Sequence, residues 1–181
     1  MTPYKQVKEF MQAFGQECPE EVIVPSYEVR RLRAKLILEE ALETIRALGF
    51  GLNGKSSEIV ELSGGPDLIE ILDGICDLDY VGRCGTAIDC GISEERLTKA
   101  QNEVHRSNMS KMWTTEDIEL GKATRYFYAK TVILPGYKEC KECNRLTRKC
   151  EEHTRYTVTN PYGKIVKPPS FSPPSFKDIL P

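Results

Sequence analysis

The stretch LILEEALETI, residues 36–45, places Glu39, Glu40 and Glu43 inside an otherwise apolar segment. Helical residues three and four apart share a face, so these carboxylates crowd together if the segment is a helix. On a helical wheel of about 100° per residue they occupy the same arc as Leu36 and Ala47, not a separate polar face. Because uncompensated charge among apolar side chains is costly, the pattern requires a countercharge.

A second acidic strip lies in DLIEILDGICDLDY, residues 67–80, where Glu70, Asp73 and Asp77 share one arc that Tyr80 continues. The other faces of this helix are apolar, so we expect it to be buried almost all round. If the two strips face each other, two carboxylates about 4 Å apart repel by about 4 kcal/mol at an effective dielectric constant of about 20. A solvated acidic face is the alternative for one strip alone. Lysine and arginine side chains could supply the countercharge, but two strips favour a site for Mg²⁺ or Mn²⁺, which prefer oxygen ligands.

The remaining pattern predicts a mainly α-helical protein with a helical body, residues 1–124, and a small β-containing extension, residues 125–181. Helix starts are predicted at Thr2-Pro3, Ser26, Pro66 and Ser93. These starts predict helices that end near Gly15, Gly49, Cys90 and Met112, and a short helix follows Thr115. The segment between Gly49 and Gly65 reads as a loop with room for a short helical turn.

The extension combines β-branched strands with a cysteine cluster. YFYAKTVIL (126–134) and RYTVT (155–159) predict strands, and NPYG (160–163) is typical of a hairpin turn. Between them, CKECNRLTRKCEEH has the spacing C-x₂-C-x₆-C-x₂-H. Cys140, Cys143, Cys150 and His153 form a four-ligand set suited to a structural zinc knuckle. Unliganded thiols or a redox pair are the alternatives.

Composition narrows the function classes. A net charge of −2 and a pI near 5.8 argue against a general nucleic-acid binder, so no nucleic-acid partner is expected. No run of 18 apolar residues exists, and the N-terminus lacks the apolar core of a signal peptide, so no membrane partner is expected and the protein is expected in the cytoplasm. No glycine-rich phosphate loop of the Walker type is present.

At this point the residues resemble a known family. EEALE (Glu39, Glu40, Glu43), followed by EILD (Glu70, Asp73), has the EExxE–ExxD form of the MazG-like all-α nucleoside triphosphate pyrophosphohydrolases. That superfamily also contains phosphoribosyl-ATP pyrophosphohydrolase and the dimeric dUTPases. FMQAFGQ, LDYVGRCGTAIDCGI, SNMSKM and PYGKIVKPPSFSPPSFKDIL resemble the phage and bacterial branch in particular. The resemblance covers most of the chain, whereas the cysteine cluster departs from it as an insertion.

The resemblance implies a four-helix core assembled as a homodimer or homotetramer, acting in the host cytoplasm for a phage member. Two or three Mg²⁺ or Mn²⁺ ions would be held by Glu39, Glu40, Glu43, Glu70 and Asp73, with Asp77 as an additional ligand or a hydrogen-bond acceptor. Glu39 or Glu40 would act as the general base. The products would be a nucleoside monophosphate and inorganic diphosphate (pyrophosphate).

Substrate contacts are predicted from basic, amide and aromatic residues. Lys111 and Asn108 are the first choices for phosphate and polar contacts, beside Arg106 and Asn102, and a solvated basic helix end is the alternative. Further contacts are expected from Lys164 and Lys167 and, at the nucleoside, from Phe14 and Gln16. Phe10 and Phe14 lie one turn apart, and plain core packing is an equally good interpretation of that pair.

The expected function is hydrolysis of nucleoside triphosphates in nucleotide-pool control, with a lean toward deoxynucleotides and, among them, purines. Two other classes remain open: a zinc-knuckle nucleic-acid-binding protein and a non-catalytic helical oligomer. Neither the base, nor whether water attacks the α- or the β-phosphorus, can be read from the sequence.

Overall fold

The structure is a computed structural model of the 181-residue chain and describes residues 1–53, 58–121, 128–132 and 155–180; the side chains of residue 121 and of residues 128–132 are not described. The chain forms two compact units, Met1–Thr98 with Leu180–Pro181, and Lys99–Ile179. The predicted boundary between residues 124 and 125 lies outside the described residues.

Three of the four predicted helix starts are confirmed, at Pro3, Ser26 and Ser93, whereas the helix predicted to start at Pro66 begins at Leu68. Helix α1 spans Pro3–Ala13, with proline in its first turn, and α2 spans Tyr27–Ala47. The Ser26 hydroxyl accepts a hydrogen bond from Val29 N at 3.2 Å, which satisfies one of the free amides at the start of α2. Helix α3 spans Leu68–Asp77 and is capped by the Asp67 carboxylate. Helices α4, Thr86–Asp89, and α5, Glu94–Met109, follow.

The predicted continuous α-helix from Pro66 to Cys90 is wrong in its middle part. Residues Leu78–Gly85, between α3 and α4, form a π-helix, whose turns are wider than those of an α-helix. Two side chains donate to the Val81 carbonyl: Arg33 Nη1 at 3.3 Å and the Thr86 hydroxyl at 3.4 Å. Side-chain donors that enter the ladder of helical hydrogen bonds disturb its regular spacing, and the residue pattern alone does not reveal them.

Helix α2 packs antiparallel against the rod formed by α3, the π-helix and α4. Small residues on the rod let the two backbones approach closely. Three glycines mark this contact: Gly74 faces Thr44, Gly82 faces Ile37, and Gly85 faces Arg33. Residue numbers on α2 fall as those on the rod rise, so the two elements run antiparallel. The three contacts also fix the register between them.

Two expectations about the surface of the first unit are wrong. The segment between Gly49 and Gly65 contains a short antiparallel hairpin of β1, Phe50–Leu52, and β2, Ile59–Glu61, instead of a helical turn. Helix α3 is not buried all round in the single chain, because Leu68 and Ile69 are 82% and 79% exposed. The buried core instead joins α1 to the rod through Val7, Met11, Cys84 and Ile88.

The second unit contains α6, Thr115–Gly121, and an antiparallel pair of β3, Tyr128–Val132, with β4, Arg155–Thr159. Asn160 begins the predicted NPYG turn, and its side chain accepts from the amides of Tyr162 and Lys164. Trp113 is buried and donates from Nε1 to the Val166 carbonyl at 2.9 Å. The predicted zinc ligands Cys140, Cys143, Cys150 and His153 lie outside the described residues.

Candidate active site

The two acidic strips meet where α2 crosses α3. A Cβ atom added to Gly74 would lie 2.5 Å from Thr44 Oγ1 and 3.2 Å from Thr44 Cα, so the backbones are in contact at this point. Each contact residue directly follows one acid of the predicted set: Glu43 precedes Thr44, and Asp73 precedes Gly74. The closest approach of the two helices therefore brings the two strips side by side.

Glu40 shows that the strips interact electrostatically. Its partial burial raises the pKa of its carboxyl group above the ordinary value, because removal from water disfavours the charged form. Nearby like charges raise this pKa further, and two of them belong to the other helix. In decreasing order of effect these neighbours are Asp77, Glu43, Glu39 and Asp73. Five of the six predicted metal ligands thus share one electrostatic neighbourhood.

The remaining acid, Glu70, lies one turn before Asp73 in the first turn of α3. It is exposed, as are Glu39, Glu43 and Asp73, whereas Glu40 and Asp77 are partly buried. Among the described residues, no three His, Cys, Asp or Glu side chains converge closely enough to hold a metal ion. Exposed carboxylates can change rotamer at low cost, so backbone placement is what limits such a site.

The donor chemistry fits Mg²⁺ or Mn²⁺. All six side chains offer carboxylate oxygens, which these hard cations prefer. Partial burial and, after it, four neighbouring carboxylates raise the pKa of Glu40, and bound cations would relieve the repulsion among these charges. The fit therefore rests on shared electrostatics across two helices, with convergence to be reached through side-chain rotation.

One predicted nucleoside residue, Phe14, belongs to an aromatic group at the end of α1. The rings of Phe10 and Phe14 are 4.4 Å apart, and Tyr80 from the π-helix meets Phe10 edge-on at 5.7 Å. Phe14 is 70% exposed and Phe10 is 42% exposed, so the pair does not belong to the buried core. Gln16 is exposed as well. Tyr80 is not among the predicted nucleoside contacts, although it continues the arc of the carboxylates in the sequence.

The predicted phosphate contacts belong to the second unit, where several are engaged within the protein. Arg106 donates from Nε and Nη2 to the Glu103 carboxylate at 2.8 and 2.9 Å, and from Nη1 to the Ser172 hydroxyl at 3.1 Å. Because of the Arg106 hydrogen bonds, the pKa of Glu103 falls to about 2. These contacts hold the proline-rich tail against α5.

The other basic candidates lie on the surface of this unit. Lys111 Nζ donates to Asn108 Oδ1 at 2.7 Å, so the two first choices for substrate contact do lie together. Lys167 stands over the Phe171 ring at 4.4 Å, a cation–π contact. Lys164 and Asn102 are exposed.

Sequence reasoning missed one further polar pair. Arg33 Nε donates to Asp89 Oδ2 at 2.8 Å, and the two side chains are only 13% and 8% exposed. Both line a cavity of about 250 Å³ whose wall includes Gln16, Ile23 and Leu32. No periodicity or motif connects residues so far apart in sequence, so the pair becomes visible only once α2 is packed against the rod.

A family model matches this chain. A search of curated proteins returns no match. The family model described as phosphoribosyl-ATP pyrophosphohydrolase matches residues 7–108, a range that includes both acidic strips and the contact between α2 and α3. None of the described helices is both long enough and apolar enough to cross a membrane. Because the match covers more than half of the sequence, the chain belongs to the phosphoribosyl-ATP pyrophosphohydrolase family, within the MazG-like pyrophosphohydrolase superfamily.

Proposed function

We propose that this protein is a metal-dependent nucleoside triphosphate pyrophosphohydrolase. It converts a (deoxy)nucleoside triphosphate and water into the (deoxy)nucleoside monophosphate and inorganic diphosphate. The family supports nucleotide pyrophosphohydrolase chemistry. The observation that carries the metal dependence is that Glu40, partly buried on α2, lies close enough to Asp77 and Asp73 of α3 for their charges to raise its pKa further. Repelling anions at one helix contact need cations, and a triphosphate needs the same cations.

The acids would hold two or three Mg²⁺ or Mn²⁺ ions through Glu39, Glu40, Glu43, Glu70 and Asp73, with Asp77 as a further ligand or hydrogen-bond acceptor. When bound, such ions neutralise the triphosphate and lower the pKa of a coordinated water. Glu39 or Glu40 would orient the attacking water and accept its proton. Glu40 is partly buried and faces Asp77 across the contact, whereas Glu39 is exposed on the same helix.

The proposed substrate contacts come from both units of the chain. Phe14 and Gln16 are proposed to contact the nucleoside, and Lys111 and Asn108 to contact phosphate oxygens, together with Asn102, Lys164 and Lys167. Arg106 would have to leave Glu103 and Ser172 to reach a phosphate, so it ranks below these. The proposed preference is for deoxynucleotides, with purines first, in control of the nucleotide pool. Phosphoribosyl-ATP, named in the family description, is the second candidate substrate.

A homodimer or homotetramer is proposed as the working form. On α3, Leu68, Ile69 and Leu72 are 82%, 79% and 64% exposed, and adjacent exposed side chains of this size are typical of an interface. A second copy of the chain would cover this face and complete the four-helix core that the family resemblance implies. The extension is proposed to carry a structural zinc ion on its Cys140–His153 cluster.

The test is a hydrolysis screen of the purified chain with the common ribo- and deoxyribonucleoside triphosphates and phosphoribosyl-ATP, each with Mg²⁺ or Mn²⁺. Monophosphate and diphosphate are the expected products, and nucleoside diphosphate with phosphate would contradict the proposal. In ¹⁸O-water, label in the monophosphate shows attack at the α-phosphorus, whereas label in diphosphate shows attack at the β-phosphorus.

A matched pair of variants separates catalysis from the two alternative classes. Glu40→Gln removes one charge from the strip, and Glu28→Gln makes the same change in the first turn of α2. Loss of turnover in Glu40→Gln alone, with retained folding, contradicts a non-catalytic oligomer. Unchanged turnover in both variants would remove the acidic strip from the mechanism. A zinc-knuckle nucleic-acid binder would release no diphosphate from any nucleotide.

A further inference from the structure

The cavity of about 250 Å³ in the first unit has the make-up of a small ligand site. Its walls include apolar side chains from the α1–α2 connection and from α2, namely Pro19, Ile23, Pro25, Val29 and Leu32. Three charged side chains also line it: Glu17, which is exposed, and Arg33 and Asp89, which are almost completely buried. An apolar cleft with a few fixed polar groups is the usual form of a small-molecule site, and this volume is below that for drug-sized ligands. It suits one fragment of a nucleotide.

Arg33 and Asp89 keep unused hydrogen-bonding atoms after they pair with each other. Asp89 accepts through Oδ2 only, and Arg33 donates through Nε to Asp89 and through Nη1 to the Val81 carbonyl. Within the part of the chain that the structure describes, Asp89 Oδ1 and Arg33 Nη2 have no hydrogen-bond partner. The pair therefore offers one acceptor and one donor side by side. The pairing edge of a nucleobase presents the complementary groups.

The cavity lies at a distance from the acidic strip that a nucleotide can span. Leu32 and Arg33 precede Glu39 and Glu40 by seven residues each, which is about two helical turns and about 10 Å along the same face of α2. A ribose and its α-phosphate can bridge such a separation. The cavity and the acidic strip thus lie on one stripe of one helix, in the order base, sugar, phosphates.

We propose that this cavity binds the nucleobase of the substrate and that Arg33 and Asp89 read its hydrogen-bonding edge; the proposal rests on the proposed function. Gln16, at the cavity wall, supplies an amide for the same edge. The aliphatic and proline side chains cover the faces of the base. Arg33 and Asp89 then determine which base is accepted, whereas the carboxylates act on any triphosphate.

The first experiment fills the cavity. Leu32→Trp introduces a large side chain at a position that is 54% exposed, and Leu38→Trp makes the same change on α2 at a position that is 59% exposed and outside the cavity. Leu32→Trp is expected to raise KM for nucleoside triphosphates at least about tenfold. Inhibition by inorganic tripolyphosphate, which has no base, is expected to remain unchanged. Equal KM values for Leu32→Trp, Leu38→Trp and the parent would overturn the proposal.

The second experiment changes the polar edge. Asp89→Asn keeps the size of the side chain but replaces one acceptor oxygen by a donor, so it is expected to change the order of kcat/KM values among the four bases, by about tenfold for at least one pair. Tripolyphosphate inhibition serves again as the control. An unchanged order of preference in a folded Asp89→Asn protein would overturn the role of the pair.

A binding measurement separates this proposal from the proposed function. Free nucleosides, added in EDTA, are expected to shift the NMR methyl signals of Ile23 and Val29, because the base binds without phosphates or metal. Those shifts with no hydrolysis of any nucleotide would refute the enzymatic function while supporting a base site. Hydrolysis with no shift at either methyl group, up to millimolar nucleoside, would refute the base site alone.

Discussion

Gly74 is the position at which a single methyl group should disturb the site. Its added Cβ would lie 2.5 Å from Thr44 Oγ1 and 3.2 Å from both Cα and Cβ of Thr44. Carbon atoms prefer separations of about 3.5–4.0 Å, so Gly74→Ala must push α2 and α3 apart by about 0.5 Å. Thr44 Oγ1 cannot simply turn away, because it donates to the Glu40 carbonyl at 2.7 Å.

The expected free-energy change combines two opposing effects. Overpacking at a close helix contact costs about 1–3 kcal/mol. Replacing glycine by alanine in a helix recovers about 1 kcal/mol. The net loss of up to about 2 kcal/mol corresponds to a decrease in Tm of up to about 8 °C for a chain of this size. Since the same movement separates Glu40 and Asp77, activity should fall more steeply than stability, by up to about a hundredfold.

Gly82→Ala provides the matched control. The nearest atom to a Cβ at Gly82 is Ile37 Cγ1 at 3.9 Å, an ordinary van der Waals distance. This substitution should leave activity near the parent value and keep Tm equal or higher. Thermal unfolding and initial rates over a Mg²⁺ titration measure both variants. A Gly74→Ala protein with parental Tm and an unchanged Mg²⁺ requirement would refute the argument that this contact positions the carboxylates.

Three further predictions concern charge, pH and metal content. Glu40→Gln should lower turnover by about 10²–10⁴-fold. In EDTA it should also raise Tm, because it removes one of several repelling charges. A fall in Tm in EDTA would contradict the repulsion. The pKa of Glu103 lies at about 2 in the folded chain against an ordinary value of 4.5, so its contribution to tail attachment is complete above pH 4.5 and is lost as the pH falls toward 2. Limited proteolysis of the tail should therefore increase over that pH range in the parent, and Glu103→Gln should be cleaved readily and equally throughout it. Elemental analysis should find one zinc ion per chain, and Cys143→Ser should lose it; an equal zinc content in both proteins would contradict the predicted cluster.

Much of the helical part of the fold was predictable from local signals. Ser26 and Ser93 lie at predicted helix starts, and their side chains do accept hydrogen bonds from the first-turn amides. These signals act within a few residues, so the sequence displays them directly. The hairpin of β1 and β2 was missed because glycine and serine dominate its surroundings, and the loop pattern outweighed the short apolar runs.

The candidate site was predictable in its members but not in its geometry. The acidic strips stood out because like charges within apolar arcs are costly. The Arg33–Asp89 pair could not be found, because its residues are 56 positions apart and meet only through packing. Arg106 was chosen for its charge, yet Glu103 and Ser172 already use its donors. Such competition between partners is decided by tertiary structure.

The π-helix between α3 and α4 changes the direction in which the side chains after it point from the rod. On a regular α-helix of about 100° per residue, Asp89 would point about 120° away from Asp77. A π-helix has about 4.4 residues per turn and so advances only about 82° per residue. Over the eight residues Leu78–Gly85 the difference rotates Asp89 back to within roughly 25° of Asp77. One wider coil thus lets a single rod present two distant carboxylates, one for Glu40 and one for Arg33, to the same stripe of its neighbour.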